Sequence, residues 1–204
     1  ESGLATMPRG VGSFAAMFVV GRLIGKIDTR LILFTGLSIS VVSLWQMTHF
    51  DLGMTATPII VSGVIQGVGI GLIFVPLSTL AFTTLPSSLR SEATAVYTLA
   101  RSLGSSVGIS IMEALWTKNS AIAHSGLAAH ISPGDTVVRA ALGANLGSVG
   151  GLETLNDEIT RQAGMIAYLD DFKLMMFITL ACMPLLLFMR TPKFAPEAAH
   201  AFVD

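Results

Sequence analysis

Apolar positions gather along this chain into runs too long and too evenly apolar for one face of a soluble helix. Five of them reach or approach the roughly 20 residues that a helix rising 1.5 Å per residue needs to cross a bilayer. They extend from Leu4 to Ile24, Leu31 to Phe50, Ile59 to Phe82, Ala93 to Trp116 and Phe172 to Met189. The second and third contain no Asp, Glu, Lys or Arg. Most are apolar on all sides, whereas a surface helix of a soluble protein carries a one-sided stripe. Pro58 falls in the first turn of the third run, where a missing N–H does no harm, while Pro76 and Pro184 lie within spans and predict kinks. The pattern predicts an all-α, polytopic membrane bundle. Residues 1–116 form four transmembrane helices with short links, 117–171 a long outer loop, 172–190 the last span and 191–204 a cytoplasmic tail. Inside the loop, Leu152, Leu155, Ile159, Ala163 and Ile166 recur at helical spacing. They predict an amphipathic helix that leads into the last span and either lies on the membrane or packs on the protein. The glycine-rich stretch 143–151 before it predicts a flexible joint.

The basic residues orient the bundle. Arg22, Lys26 and Arg30 lie between the first two spans, Arg90 between the third and fourth, and Arg190 and Lys193 after the last. Alternation puts these segments on one side, which should be the cytoplasm. The opposite side has a link from His49 to Pro58 without Lys or Arg, and the long loop, where Lys118, Arg139 and Arg161 are outnumbered by acids. Trp45 and Trp116 then fall near the outer ends of their spans, as an aromatic belt requires. Five spans place Glu1 outside and Asp204 inside.

Composition supports a lipid-facing surface. Hydrophobic residues make up 52% of the 204 residues and charged ones 12%, against about 25% charged in an ordinary soluble domain, and mean hydropathy is +0.71. The net charge of −1 offers no footprint for nucleic acid. Cys182 is the only cysteine, which excludes a disulfide framework or a cysteine metal site. The chain does not begin with Met and has no basic segment before its first apolar run, so it reads as a piece of a longer polypeptide with a span upstream.

Small and polar residues within the spans are the candidate functional positions. Gly63, Gly67 and Gly71 line one face of the third span, and Gly104 and Gly108 one face of the fourth. This spacing suits close helix packing in lipid. Gly67, Gly69 and Gly71 are not a dinucleotide fingerprint, which needs a strand before it and a helix opening after it. An ion in hydrocarbon costs at least ~2.5–3.5 kcal/mol, so buried arginines need a reason. Arg9 lies about five residues, roughly 7 Å, from the outer end of its span and either snorkels to the headgroups or serves function. Arg101 lies about eight residues, roughly 12 Å, inside the inner end of the fourth span. It is expected to face a polar cavity, or else to pair structurally with carbonyls. Gln66 lines the same cavity or bonds across helices. Glu113 is expected to reach water. His124 and His130 do not share a helix face, so no metal site is expected. Cys182, Met175 and Met176 fit ordinary packing. No nucleophile has a plausible base, and no catalytic residue or enzyme activity is expected.

Several of these segments together resemble the major facilitator superfamily, specifically its fourteen-span proton-driven drug antiporters of the EmrB/QacA type. Residues Gly3 to Gly10 resemble the start of the tenth span of that family. The segment Gly21-Arg22-Leu23-Ile24-Gly25-Lys26-Ile27-Asp28-Thr29-Arg30 is similar to the cytoplasmic gating loop in its second-half version. It has Gly25 where the first-half form has an acid, and carries its acid at Asp28. Gln66-Gly67-Val68-Gly69 is similar to the glycine-rich part of the twelfth span, and Arg101 to Gly108 to the thirteenth. Gln162-Ala163 through Asp170, Asp171 and Phe172 resemble the approach to the last span.

The resemblance implies the C-terminal part of a transporter that extrudes amphipathic compounds in exchange for protons. It needs no cofactor beyond the proton gradient. The implied partners are the lipid bilayer, the rest of the transporter chain, small amphipathic substrates and, in Gram-negative bacteria, a periplasmic adaptor and an outer-membrane channel. It also implies that the proton-binding acids lie largely in the first half of the fold, and no deep carboxylate is expected here. The alternatives are a transporter of the same fold for a metabolite, siderophore or lipid, and a membrane subunit with a structural or sensing role.

Overall fold

A computed structural model of the chain describes residues 2–83, 85–131 and 149–188. Among the described residues it is helical and has no strand. Helices α1 (Ser2–Leu23), α2 (Thr29–Met47) and α3 (Ala56–Thr83) are followed by a 3₁₀ turn (Ser87–Leu89). Helices α4 (Arg90–His130), α5 (Val149–Cys182) and the short α6 (Leu185–Phe188) complete the order. The chain is thus an all-α bundle of membrane helices. Helices α2 and α3 are long and apolar enough to cross a membrane by length and composition alone. Most of the glycine-rich joint, together with Arg139, Arg190, Lys193 and the tail 191–204, lies outside the described residues.

The turn between α1 and α2 is built locally. Gly25 adopts φ +88°, a left-handed conformation that suits glycine. This lets the Leu23 carbonyl accept the N–H groups of Lys26 and Ile27 at 3.0 and 3.1 Å. Asp28 then caps α2, its carboxylate accepting the Arg30 N–H at 3.0 Å.

Helix α3 lies between α1 and α2 at backbone distance, because small residues face each other on both sides. A Cβ at Gly67 would run into the Arg9 carbonyl, and one at Gly71 would lie 2.7 Å from both the Ala16 Cβ and the Ser13 carbonyl. On the opposite side, a Cβ at Gly69 would meet the Ser40 hydroxyl, and one at Gly36 would lie 2.9 Å from the Leu72 and Ile73 side chains. Serine hydroxyls tie the seams. Ser13 donates to the Gly67 carbonyl at 3.0 Å, and Ser43, fully buried, to the Ser62 carbonyl at 2.8 Å. Such bonds average about 0.6 kcal/mol in lipid, so steric fit contributes more than any one of them. Gly63 has only ordinary contact with the Arg9 Cβ, and Gly104 and Gly108 have no described atom against their faces within 4 Å.

Helices α4 and α5 form a second layer. Helix α4 does not stop at Trp116 but continues to His130. Its 41 residues span about 60 Å, twice the ~30 Å of hydrocarbon, so one end projects from the membrane. The amphipathic segment and the last span are likewise one helix, α5, because no Gly or Pro interrupts the sequence between Met165 and Met183. The projecting part of α5 packs on α4, with His124 Nε2 3.1 Å from Asn156 Oδ1. Two residues of the expected apolar stripe, Leu152 and Ile166, are exposed; Ile159 and Ala163 are buried, and the buried line continues through Ala167 to Asp171. Pro184 ends α5 instead of kinking it: the helix stops at Cys182, and α6 begins after the turn.

Aromatic contacts join the layers at both ends. Phe50 after α2 meets Phe172 of α5 edge-on with centroids 6.5 Å apart, and Phe82 of α3 meets Tyr97 of α4 at 5.4 Å. Helix α2 also packs directly on α5, whereas α3 and α4 stand apart between these ends.

Candidate functional site

The space between the layers is a cavity of about 950 Å³, lined from α2, α3, α4 and α5. Its walls are mainly aliphatic, with Leu44, Ile70, Ile73, Ile109, Met175 and Ile178 among them. Polar groups are sparse in the middle, where Ser40, Gln66, Ser105 and Thr179 reach it. They concentrate at one end, where Glu113, Trp116, Tyr168 and Asp171 come together. An apolar chamber with a few convergent polar groups is the usual form of a small-molecule site, and this volume is at the upper end of the usual range of about 300–1,000 Å³.

At the polar end the sequence places aromatic rings one helical turn apart. The Trp116 ring lies 5.5 Å from Tyr168, and Tyr168 stacks on Phe172 at 6.4 Å. Asp171 is only 7% exposed. Its Oδ1 and the Trp116 Nε1 are both buried with no hydrogen-bond partner among the described residues. Burial, and secondarily the neighbouring Asp170 charge, push the Asp171 carboxyl above the ordinary aspartate range. Asp170 is engaged instead with Lys173 at 3.0 Å on the exposed side of α5. More than three turns further out on α5, Arg161 and Gln162 hydrogen bonds hold the exposed Glu158 below its ordinary range.

The sequence candidates are distributed differently from expectation. Arg101 and Gln66 do not share a cavity. Arg101 stands over the Phe74 ring, 4.5 Å from its centroid, in a smaller recess of about 390 Å³ between α3 and α4, whereas Gln66 lines the large cavity. Ile70 and Ile73 form the partition between the two. Arg101 is exposed, and its described partner is this π face, which attracts a cation. Arg9 is exposed, although its backbone is packed against Gly67. In the turn, Arg22 stacks on Phe18 at 4.0 Å, Gly21 and Lys26 are exposed, Asp28 is used as a helix cap, and Arg30 follows in the first turn of α2.

Asp171 is the polar residue that the sequence expectation missed. The sequence expectation puts it in the approach to the last span; the structure buries it within the protein at the polar end of the cavity. The signal was present in the spacing, because Ile159, Ala163, Ala167 and Asp171 follow one another at four-residue intervals and all are buried.

The comparisons with known proteins agree with this architecture. Residues 1–120 match the family model of the Major Facilitator Superfamily. The chain is 31% identical over 178 residues to the "Probable multidrug resistance protein EmrY" of Escherichia coli, covering 85% of this chain and 35% of that protein. It is 28% identical over 133 residues to the "Multidrug export protein EmrB" of Haemophilus influenzae, covering 65% and 26%. To the "Fatty acid resistance protein FarB" of Neisseria gonorrhoeae it is 25% identical over 98% of this chain and 40% of that protein. The chain therefore spans well under half the length of these curated relatives.

The raised Asp171 carboxyl has a consequence for stability. The folded protein holds this proton at pH values where the unfolded chain has released it. Its contribution is therefore fully present below the ordinary aspartate range and is lost as pH rises through the raised value. In the full-length protein, Asp171→Asn should flatten this part of the pH dependence of the thermal midpoint in the acid range. Parallel pH profiles for the two proteins would contradict the burial assigned to the carboxyl.

Proposed function

The chain belongs to the major facilitator superfamily, and we propose on that basis that it is the C-terminal segment of a multidrug efflux transporter, exporting amphipathic compounds in exchange for protons. The observation that carries the reading is the cavity: a chamber of about 950 Å³ with aliphatic walls and one polar end. Such a space suits a molecule that is mostly apolar with a single polar head. The printed names of the EmrY and EmrB relatives support the same reading. No cofactor enters the proposal, since the proton gradient supplies the energy, and neither does catalysis.

The transporter is placed in the inner membrane, with the α1–α2 turn cytoplasmic and the projecting ends of α4 and α5 outside. The basic residues Arg22, Lys26, Arg30 and Arg90 support this proposed orientation. A periplasmic adaptor and an outer-membrane channel are further proposed partners, with α4 and α5 reaching toward them. The name of the FarB relative raises a second reading, transport of a fatty acid. The carboxyls of Glu113 and Asp171 in the cavity oppose it, because a carboxylate substrate would meet like charge.

Single cysteines introduced at Ser125 and at Thr29 in a Cys182→Ser background test the orientation. The first should react with an impermeant thiol reagent in intact cells and the second should not; the reverse pattern would refute it. Arg101 tests the transport reading. Lys keeps the charge but not the flat guanidinium that lies over Phe74. In the full-length protein, Arg101→Ala and Arg101→Lys should both reduce dye efflux and drug resistance strongly, about tenfold for Ala, at normal membrane levels of protein. Arg9→Lys should have much less effect. Wild-type efflux by Arg101→Ala would exclude a transport role for this side chain.

A further inference from the structure

Arg101 is a charge in an apolar stretch of helix, and the described residues leave most of its donors unused. It is exposed, and its guanidinium makes no hydrogen bond or ion pair among the described residues. The Phe74 ring, 4.5 Å away, attracts the charge but leaves the N–H donors in the guanidinium plane to other acceptors. The adjoining recess between α3 and α4, about 390 Å³, has apolar walls from Ile73, Phe74, Leu77 and Ala100. Tyr97 lines it too, and its hydroxyl makes no hydrogen bond among the described residues. Leu77, Ala100 and Arg101 are exposed, so the recess opens on the outside of the described bundle. No acid is among the residues that line it. Arg90, Thr94, Tyr97 and Arg101 follow at intervals of four, three and four residues and share one face of α4. Glu92, the acid of the first turn, falls on the opposite face, two and a half turns before Arg101. A helical Cα–Cβ bond tilts toward the N-terminus. The Arg101 side chain therefore leans toward Tyr97 and the helix start at Arg90, about 16 Å away along the axis.

We infer that this recess binds an anionic phospholipid from the leaflet in which α4 begins, with its phosphate on Arg101 and Tyr97 and an acyl chain along Ile73, Phe74 and Leu77. Phosphate oxygens match the fork of donors on a guanidinium, and basic recesses between membrane helices favour anionic head groups. The apolar wall beside the cation takes the chain, which a free phosphate lacks. Arg101 lies roughly 12 Å inside its apolar run; snorkelling of the side chain and local thinning of the bilayer bring guanidinium and phosphate together. Arg90, on the same face at the mouth, adds a second positive charge for the head group. The bound lipid gives the in-span cation an anionic partner that the described residues do not supply. Which leaflet donates the lipid follows the orientation proposed above; the site itself depends neither on that orientation nor on drug efflux.

The test uses purified full-length protein in detergent micelles with equal amounts of phosphatidylglycerol and phosphatidylcholine, and counts retained lipids by native mass spectrometry. Wild type should retain phosphatidylglycerol in preference, and excess glycerol 3-phosphate should not displace it. Arg101→Ala should weaken phosphatidylglycerol binding about tenfold or more, as expected for loss of a charge-assisted contact. Arg101→Lys, which keeps the charge but not the fork, should weaken it by a smaller factor of about three. Leu77→Trp, which fills the recess and leaves Arg101 in place, should also weaken it, whereas Arg161→Ala should not. If Arg101→Ala does not reach the membrane, Leu77→Trp and Arg101→Lys decide the matter in its place. Equal retention of the two lipids by wild type, as expected if an acid from the upstream part of the chain occupies Arg101, would overturn the inference. So would phosphatidylglycerol affinity unchanged in these recess variants, or displacement of the lipid by glycerol 3-phosphate. Either result can arise in a protein that exports drugs, and Arg101-dependent lipid retention by a protein that exports none would support the site while refuting the efflux reading.

Discussion

Helix α3 can lie where it does only because its glycines allow two other backbones to reach it. In lipid, apolar side chains gain nothing by leaving one apolar surroundings for another, so close packing has to hold the helices together. Gly67 and Gly71 admit α1, and Gly69 with Gly36 admits α2, at distances where a Cβ on any of them would collide. The buried Ser43–Ser62 bond and the Ser13–Gly67 bond fix the register that this approach defines. The three helices form a tight layer, and its rigidity provides one wall of the cavity.

The second layer follows a different rule. Helices α4 and α5 are too long for the membrane and pair with each other along their projecting ends, while α4 barely touches α3. Aromatic contacts pin the layers at Phe50–Phe172 and at Phe82–Tyr97. The gap between the pins is the cavity, and the polarity of its two recesses follows from which helix turn reaches each. Asp171 and Trp116 reach one, and Arg101 over Phe74 reaches the other. Opposite charges thus stand at different levels of the same bundle with Ile70 and Ile73 between them.

Much of this was legible in the sequence, for identifiable reasons. Charge-free apolar runs marked α2 and α3, and four-residue glycine spacing marked the face of α3, because both signals are local. The ends of α4 and α5 were not legible. The polar residues after Trp116 look like a loop, yet they remain helical because a second helix lies alongside them, with His124 meeting Asn156. The partner of Arg101 was hidden for a related reason, since a phenylalanine in an apolar run carries no mark of a cation above it. Gly104 and Gly108 have the same spacing as the α3 glycines and face no described atom within 4 Å. Asp171 was overlooked because a charged pair before an apolar run looks like a membrane boundary, although its place on the Ile159–Ala163–Ala167 line put it inside.

The central claim is that this bundle belongs to a machine exchanging amphipathic compounds for protons, and coupled flux tests it most directly. Full-length protein would be reconstituted in liposomes with a pH-sensitive dye in the lumen and no pH gradient at the start. A gradient of ethidium across the membrane should then drive protons in the direction opposite to the ethidium, at a rate that rises with protein content and vanishes in protein-free liposomes. Ethidium movement without any change of luminal pH, or no protein-dependent movement of either species, would contradict the account.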